Sequence, residues 1–529
     1  MGMYLNPGAD KFRMALNSKI YVDKTGLLAI LDGLLNTDQR FVCVSRPRRF
    51  GKTMAANMAA AYYDRTVDGA EVFRGLAVTR SDSFEACRNR FDVLRINMQE
   101  FLSASRSTED LLRLLAEDIG DDLREAYPEV QVRDGRTLSY HLQKVYQHTK
   151  RSFVIILDEW DCIIREYQNE KEAQECYLDF LRDWLKDREY VALAYMTGIL
   201  PIKKYGTHSA LNMFDEYSMT DPGPMAQYAG FTTAEVQALC QKYHMDFATA
   251  KQWYDGYGFS SVGEIYSPRS VVAAMLRGRF GTYWNQTETF QALRVYIDLN
   301  LDGLREDVIR LLAGARIPIN IGTFSNDMTT FHTADDVLTL LVHLGYLAYD
   351  EARAEVYVPN KEVMMEFVNA VSAGGWQEIA HSIKASERLL QATWRQEEAA
   401  VAAGIEAAHL ETSQLTYHDE NALSYTISLA YYAAREYYRM VREMPAGKGF
   451  ADIVFLPREQ HLDRPVMIVE LKWNQEAASA LRQIKERKYP EALSGYQGKI
   501  LLVGVSYDRK TKHHQCKIEE YKCASGKCD

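Results

Sequence analysis

The chain has 529 residues, of which 47% are hydrophobic and 25% are charged. These are ordinary globular proportions, which exclude a largely disordered chain, and the length predicts roughly three to four domains. The formal net charge of −10 excludes a basic field over the whole molecule, so contact with nucleic acid needs a local patch.

The first 200 residues predict strands that alternate with helices. Residues 54–64 and 107–126 have the composition of helices. The predicted strands, each a short apolar run, cover residues 41–45, 90–98, 152–161 and 190–198. This alternation predicts a parallel sheet flanked by helices.

After about residue 215 the pattern changes. Residues 224–280 are rich in predicted helix and contain the aromatic stretch WYDGYGF (253–259), and residues 290–345 predict short helices. Residues 343–363 predict the end of a helix, a strand, a turn and a second strand, which is the order found in a winged-helix unit.

The last 150 residues predict a second α/β region. A long helical stretch begins near residue 380 and runs through 417–438. It is followed by two strands joined by a polar turn, a helix and a further strand, at 449–457, 465–473, 475–489 and 499–507.

The segment SRPRRFGKT (45–53) lies between a predicted strand and a predicted helix. Its ending is typical of a phosphate-binding loop, in which backbone N–H groups at a helix N-terminus surround phosphate. Lys52 would reach the β- and γ-phosphates, and Thr53 would hold Mg²⁺. Because Arg46 stands where such a loop usually has its first glycine, the loop alone leaves a basic surface loop as an alternative.

Two later strands end in residues that a nucleotide site needs. FVIILDEWD (153–161) supplies Asp158 for Mg²⁺ and Glu159 to orient or activate water. Thr197 in YMTG is placed to sense the γ-phosphate. The alternative for each feature alone is a simple strand end, but the three in this order predict nucleotide binding.

A second group of ionisable residues lies in GFADIVFLP and PVMIVELKW. Side chains alternate along a strand, so Glu470 and Lys472 share one face, and a hairpin would bring Asp452 beside Glu470. Two converging carboxylates favour a divalent cation, and a nearby lysine can polarise water for attack on phosphorus. The alternative is a buried Glu–Lys pair that fixes a strand end.

Several segments of the first 280 residues resemble the bacterial AAA-ATPase-like family. They are YVDKTGLL (21–28), RPRRFGKT (46–53), ILDEWD (156–161), TGILPIKKYGTHSALNMFDEYSM (197–219) and WYDGYGF (253–259). In that family RPRRFGKS or RPRRFGKT is itself the loop signature, so Arg46 would be a family trait. The resemblance implies ATP with Mg²⁺ bound by Arg46, Arg48, Arg49, Phe50, Gly51, Lys52, Thr53, Asp158 and Thr197.

Residues 417–507 resemble the PD-(D/E)XK nuclease superfamily. The usual Pro before the first Asp is Ala451 here, while Asp452, Glu470 and Lys472 match the catalytic pattern. Further matches implied by the resemblance are Glu420 as an early acidic metal ligand, and Gln483 and Tyr489 in the following helix.

Together these features predict an α/β multidomain protein. The expected domains are an AAA-like P-loop ATPase domain (1–220), a helical lid (221–285), a winged-helix-like domain (286–375) and a PD-(D/E)XK nuclease-like domain (376–529). The predicted function is ATP-controlled, Mg²⁺-dependent cleavage of nucleic acid, with DNA favoured. The alternative is a nucleotide-dependent switch or scaffold whose C-terminal domain binds nucleic acid or a protein without cutting.

Some weaker signals complete the expectations. Lys203 and Arg269 are candidate γ-phosphate contacts, and Asn212 and Glu216 lie in a motif of unassigned role. Paired tyrosines on helical segments favour core packing over base stacking. The eight cysteines form no CxxC pair, and no apolar run approaches the ~20 residues of a membrane span, so we expect a reduced, soluble, cytoplasmic protein. Homo-oligomerisation is left open.

Overall fold

A computed structural model describes the chain apart from a set of short segments. These segments are residues 1, 134, 169, 203–210, 285–300, 313, 325–330, 374–376, 412–426, 428–429, 447–448, 459–460, 494–497, 512 and 522–529. The contacts between residues divide the chain into two compact units, the first being Met1–Asp302 with Arg316–Glu366 and the second being Gly303–Ala315 with Phe367–Asp529. The finer division into four domains stays a prediction.

The first unit is built around a five-stranded parallel sheet. Its strands are β1 (Phe41–Ser45), β2 (Asp92–Asn97), β3 (Phe153–Asp158), β4 (Val191–Gly198) and β5 (Asp215–Tyr217). They lie in the order β2-β3-β4-β1-β5, and every neighbouring pair is parallel. The predicted parallel sheet is confirmed, and β5 is an addition that its three residues were too few to indicate.

Helices connect these strands. Their bounds are Asp10–Leu16, Gly26–Asp32, Lys52–Tyr63, Gly69–Val72, Phe84–Cys87, Met98–Ala104, Thr108–Ala126, Leu138–Thr149, Cys162–Glu166 and Lys171–Leu185. The paired tyrosines Tyr62 and Tyr63 are fully buried, and each hydroxyl donates to the Asp32 carboxylate at 2.9 Å. This confirms core packing for that pair.

The next segment is less helical than predicted. Its helices are Thr233–Tyr243, Phe247–Tyr254 and Pro268–Arg277. A small antiparallel sheet of order β6-β8-β7 lies among them, made of β6 (Phe231–Thr232), β7 (Tyr257–Phe259) and β8 (Gly263–Tyr266). The predicted helix-rich description missed these strands because two to four residues are too few to display an alternating pattern.

The predicted helix, strand, turn and strand near residue 350 are present. Helix Ala334–Leu344 ends at Gly345, whose φ of 87° is left-handed. It is followed by β10 (Ala348–Asp350) and β11 (Glu355–Tyr357), and β11 also pairs with β9 (Ile317–Pro318). The winged-helix assignment itself stays a prediction.

The second unit holds another five-stranded sheet. Its strands are β12 (Tyr438–Ala446), β13 (Gly449–Pro457), β14 (Val466–Trp473), β15 (Ile500–Asp508) and β16 (His513–Tyr521), in sequential order. Only β14 and β15 are parallel. The sequence indicates β13, β14 and β15, whereas β12 falls almost entirely in residues 439–448, for which no element is predicted, and β16 falls in the predicted tail.

The helices of the C-terminal half are Leu304–Leu312, Lys361–Ala373, Gln377–Trp394, Glu398–Glu411, Ala434–Tyr437 and Ala477–Glu486. Residues of Gln377–Trp394, Glu398–Glu411 and Ala477–Glu486 belong to the core clusters of this sheet. Met467, Val469 and Leu471 on one face of β14 belong to one core cluster. Val466 and Ile468 on the opposite face pack in a second cluster with residues of helix Ala477–Glu486. The face that carries Glu470 is therefore the face covered by that helix.

No helix within the described ranges is both long enough and apolar enough to cross a membrane. The six cysteines that the structure describes are free thiols.

Candidate functional sites

The phosphate loop follows β1 and leads into helix Lys52–Tyr63. Gly51 precedes the helix with a φ of 91°, a left-handed conformation that glycine adopts without steric cost. Lys52 is buried, and its Nζ donates to the carbonyl oxygens of Arg46 and Pro47 at 2.9 Å each. The loop therefore closes around its own lysine, while the first N–H groups of the helix lack intrahelical partners, as at every helix start.

Arg46 has a different position from its neighbours in the loop. It is fully buried, and its Nη1 donates to the carbonyl oxygens of Ser45 and Tyr217 at 2.9 Å each. Its guanidinium also lies 5.4 Å from the centre of the Phe259 ring. Burial lowers the pKa of Arg46 to about 10. These contacts tie the loop to β5 and β7, and the role of Arg46 in nucleotide binding stays a prediction.

A cavity of about 910 Å³ opens beside the loop. Its volume lies within the range of small-molecule sites, roughly 300–1,000 Å³. The predicted residues that line it are Arg48, Arg49, Phe50, Gly51, Lys52, Thr53, Glu159 and Arg269. Lys19, Lys24 and Arg165 add further positive charge, while Tyr228, Phe231 and Val272 add apolar surface. The cavity therefore combines cations with an apolar wall.

The arginines of this cavity repel one another. Burial, and the nearby positive charges of Arg269 and Arg48, lower the pKa of Arg49 below its ordinary value. A cluster of like charges at a helix N-terminus is stabilised by a bound anion. The positive charge in the cavity thus favours a polyanionic ligand such as a phosphate chain.

Asp158 and Thr197 lie side by side at the carboxyl ends of β3 and β4. The Thr197 hydroxyl donates to Asp158 Oδ1 at 2.5 Å, and Arg95 Nη2 lies 3.4 Å from Oδ2. All three side chains are buried, and none lines the cavity. Asp158 nevertheless lies close enough to Lys52 that its charge opposes the lowering of the lysine pKa by burial.

Glu159, unlike Asp158, lines the cavity. Its backbone has a φ of 56°, which is uncommon for a residue with a side chain and directs it away from the strand. Burial raises the pKa of Glu159, against the positive charges of Lys52 and Arg165. Arg165 Nη2 lies 2.6 Å from Glu159 Oε2, and Arg165 Nε lies 3.2 Å from Asp161 Oδ2.

The second site lies on β13 and β14. Ile453 pairs with Val469 in this antiparallel hairpin, which sets Asp452 beside Glu470. Asp452 Oδ2 accepts from the Leu471 N–H at 2.7 Å. The structure therefore brings together the two carboxylates that the sequence spacing predicted to converge.

Glu470 is buried, and its two carboxylate oxygens differ. Oε1 accepts from Lys472 Nζ at 3.3 Å and from Gln483 Nε2, while Oε2 has no hydrogen-bond partner within the described part of the chain. Burial and the charge of Asp452 raise the pKa of Glu470 to about 7. A buried carboxylate oxygen beside a second carboxylate fits a divalent cation, because the cation would compensate both charges.

Of the other predicted residues of this site, Gln483 lies in the helix after β14, whereas Tyr489 follows the end of that helix and begins the 3-10 helix Tyr489–Leu493. Gln483 reaches Glu470, and the Tyr489 hydroxyl donates to the Phe450 carbonyl oxygen at 2.7 Å. Gly504, opposite Glu470 on β15, allows this helix to approach, because a Cβ there would lie 2.5 Å from the Ala477 carbonyl oxygen. Among the residues that the structure describes, no group of three or more His, Cys, Asp or Glu could hold a metal ion.

Four other predicted residues were named from motifs. Glu420 and Lys203 lie outside the described residues. Glu216 Oε1 accepts from the Ile202 N–H at 2.7 Å and so holds the segment after β4. Asn212 Oδ1 lies 3.4 Å from the exposed Lys186 Nζ, away from the cavity lining.

Sequence reasoning missed the charged partners of the predicted acids. Arg95, Asp161 and Arg165 contact Asp158, Glu159 or each other. Asp161 stood within the quoted ILDEWD motif, and Arg165 follows it by four residues, a spacing that brings side chains together on a helix. That spacing could have identified Arg165 as a partner of Asp161 from the sequence.

Two family models match segments of the chain. Residues 8–207 match the model of the AAA-ATPase-like family, described as Predicted AAA-ATPase. Residues 420–517 match the model of the PD-(D/E)XK nuclease superfamily. The chain thus carries an AAA-ATPase-like region and a PD-(D/E)XK nuclease superfamily region, and both sequence resemblances are confirmed.

Solved structures give more distant similarities. The Aeropyrum pernix ORC2 protein, solved as ADPNP–ADP complexes, is 14% identical with a TM-score of 0.29, covering 67% of this chain and 97% of its own. C. elegans PCH-2 is 11% identical with a TM-score of 0.23, covering 63% of this chain and 71% of its own. Among curated proteins no sequence matches significantly.

Proposed function

We propose that the chain binds and hydrolyses ATP in its first unit, and that nucleotide state controls Mg²⁺-dependent cleavage of nucleic acid by its second unit. The single observation that carries the nuclease proposal is the Glu470 carboxylate, buried beside Asp452 with Oε2 unpartnered in the described part of the chain. The division into domains at 1–220, 221–285, 286–375 and 376–529 belongs to the same proposal.

In the first unit the cations of the cavity bind the phosphate chain. Lys52 exchanges its contacts with the Arg46 and Pro47 carbonyl oxygens for phosphate oxygens, and Arg48, Arg49 and Arg269 neutralise the remaining charge. Thr53 and Asp158 would hold Mg²⁺, which supplies charge neutralisation at the β- and γ-phosphates. Glu159 orients the attacking water, and Thr197 positions Asp158 through its hydrogen bond.

In the second unit Asp452 and Glu470 would hold the divalent cation, with Glu420 as a further proposed ligand. When bound, the cation supplies Lewis-acid polarisation of the phosphodiester and lowers the pKa of water. Lys472 positions the attacking water, and Gln483 keeps Glu470 Oε1 directed toward Lys472. DNA is the favoured substrate.

The second candidate is a nucleotide-dependent switch that binds nucleic acid or protein without cutting. The net charge of −10 favours it, because free nucleic acid is repelled by the molecule as a whole. Both candidates share the ATP site, so they differ only in whether the site at Glu470 cleaves nucleic acid.

One assay separates the two candidates. Wild-type protein and Glu470→Ala are incubated with labelled plasmid or single-stranded DNA, with Mg²⁺ or Mn²⁺, with and without ATP. We expect metal-dependent product from the wild type alone. If the wild type binds DNA but gives no product, the nuclease candidate is excluded and the non-cutting switch is supported. Lys52→Ala serves as the second control, because it should lose ATP turnover and keep DNA binding.

A further inference from the structure

Beside the nucleotide cavity, three ionisable side chains form a buried chain from Glu159 to the segment after β4. Arg165 lies 2.6 Å from Glu159 and 3.2 Å from Asp161, and Arg165 is only 8% exposed. Asp161 is fully buried, and its Oδ2 also accepts from the N–H groups of Ile199 and Leu200 at 3.0 and 2.8 Å.

The far end of this chain is fixed by backbone. Gly198 ends β4, and a Cβ at this position would lie 2.9 Å from Asp161 Oδ1 and 2.6 Å from Trp160 Nε1. Asp161 therefore occupies space that only a glycine leaves open. Because Asp161 is held by two backbone N–H groups, it provides a rigid anchor for the Arg165 guanidinium.

At the end of this chain that is nearer to the cavity lies Glu159, the residue proposed to orient the attacking water. Glu159 is 24% exposed, its backbone is left-handed, and its carboxylate meets Arg165 through Oε2. A left-handed conformation at a residue with a side chain is strained, and such outliers cluster at functional sites. The Arg165 contact holds the carboxylate in the direction that this backbone imposes.

We propose that Arg165, anchored by Asp161, is a positioning residue that orients Glu159 for ATP hydrolysis. This inference rests on the proposed ATPase function. It assigns nucleotide affinity to Lys52 and the loop, and the rate of the chemical step to the buried chain Glu159–Arg165–Asp161.

The test compares full-length Arg165→Gln, Arg165→Lys and Asp161→Asn with the wild type and with Arg182→Gln. Arg182 is the matched control, since it pairs with Asp179 on a surface helix. We expect Arg165→Gln to lower kcat about 10- to 100-fold, because Glu159 loses the contact that orients it. Its Kd for a fluorescent ATP analogue should change by a smaller factor than kcat, because the loop cations Arg48, Arg49 and Lys52 remain in the cavity.

Two conservative variants keep the test independent of folding. Arg165→Lys retains the charge but cannot contact both carboxylates with a planar fork, so it should recover part of the kcat that Arg165→Gln loses. Asp161→Asn should lower kcat by loosening Arg165. If the wild type hydrolyses ATP and the Arg165 and Asp161 variants have an unchanged or increased kcat, the inference is overturned while the proposed ATPase function stands. No ATP turnover by the wild type overturns the proposed function and the inference together.

Discussion

The two sites handle buried charge in opposite ways. In the first unit Asp158, Glu159 and Asp161 each have an arginine within 3.4 Å, supplied by Arg95 or Arg165. In the second unit Glu470 Oε2 has no hydrogen-bond partner in the described ranges, and the neighbouring Asp452 adds negative charge. The first site is neutralised from within and offers extra cations to a ligand, whereas the second needs a cation from outside.

The two sites differ in this way because different side chains lie at the ends of their strands. At the carboxyl edge of the parallel sheet, acids alternate with basic residues from β2 and from the helix after β3. On the β13–β14 hairpin two acids lie side by side, and Lys472 Nζ lies 3.3 Å from Glu470 Oε1. Unpaired buried charge costs several kcal/mol, so the second site should respond more strongly to pH and to metal.

The largest effect is expected from Lys472. Replacing Lys472 by Met removes the group that lies 3.3 Å from Glu470 Oε1 and that is proposed to position the attacking water. We expect the rate of metal-dependent DNA cleavage to fall by about 100-fold or more. Lys485→Met is the control, because Lys485 pairs with Glu519 in an exposed contact on the same helix as Gln483. Equal cleavage by both variants would contradict a catalytic role for Lys472.

The next effect concerns Lys52 and leaves the second site untouched. Lys52→Ala removes an ammonium group that faces the cavity and closes the loop. A hydrogen bond to a charged group contributes about 1.5–3 kcal/mol, so the Kd for ATP should rise roughly 10- to 100-fold. Titration with a fluorescent ATP analogue measures this, with the exposed Lys144→Ala as control. An unchanged Kd would place the nucleotide elsewhere.

Most of the strands that carry the two sites, and the carboxylate pair of the second site, could be predicted from the sequence. The strand pattern indicated β1 to β4 and β13 to β15, and the alternation of side chains put Glu470 and Lys472 on one face. The spacing to Asp452 then predicted the carboxylate pair. Burial of Arg46 was not predictable, because its partners are backbone carbonyl oxygens and the ring of Phe259, which is 213 positions away. Two-residue strands such as β6 and β9 carry no periodicity that a sequence reader could use.

The third prediction uses the pKa of Glu470. Its folded pKa of about 7 lies above the ordinary 4.5, so the folded protein keeps a proton that the unfolded chain releases. The free energy of unfolding should therefore fall as pH rises from about 4.5 to 7 in metal-free protein. We expect the Tm of the second unit to drop by roughly 5 °C across this window.

Glu470→Gln is the control for this titration. It removes the ionisable group and should flatten the pH dependence. Mg²⁺ added above pH 7 should raise the Tm of the wild type and leave Glu470→Gln unchanged, since the cation favours the ionised carboxylate. The same slope in both proteins would show that Glu470 does not titrate in this range.

The smallest effect separates backbone strain from ligand binding in the first unit. Gly51 has a φ of 91° and Gly75 a φ of 79°, and a Cβ at either would meet nothing within 4 Å. Each change to Ala should therefore cost about 1 kcal/mol of unfolding free energy, because the strain is conformational. Only Gly51→Ala should weaken ATP binding. Equal ATP affinities in the two variants would show that the conformation of the loop at Gly51 does not contribute to nucleotide binding.

The central claim is that the second site takes up a divalent cation that the first site does not control. Calorimetric titration of Mn²⁺ at pH 8 into wild type, Asp452→Asn, Glu470→Gln and Lys52→Ala, without nucleotide, tests it directly. We predict one binding event in the wild type and in Lys52→Ala that is lost in Asp452→Asn and Glu470→Gln. Wild-type binding in the two carboxylate variants would contradict the account.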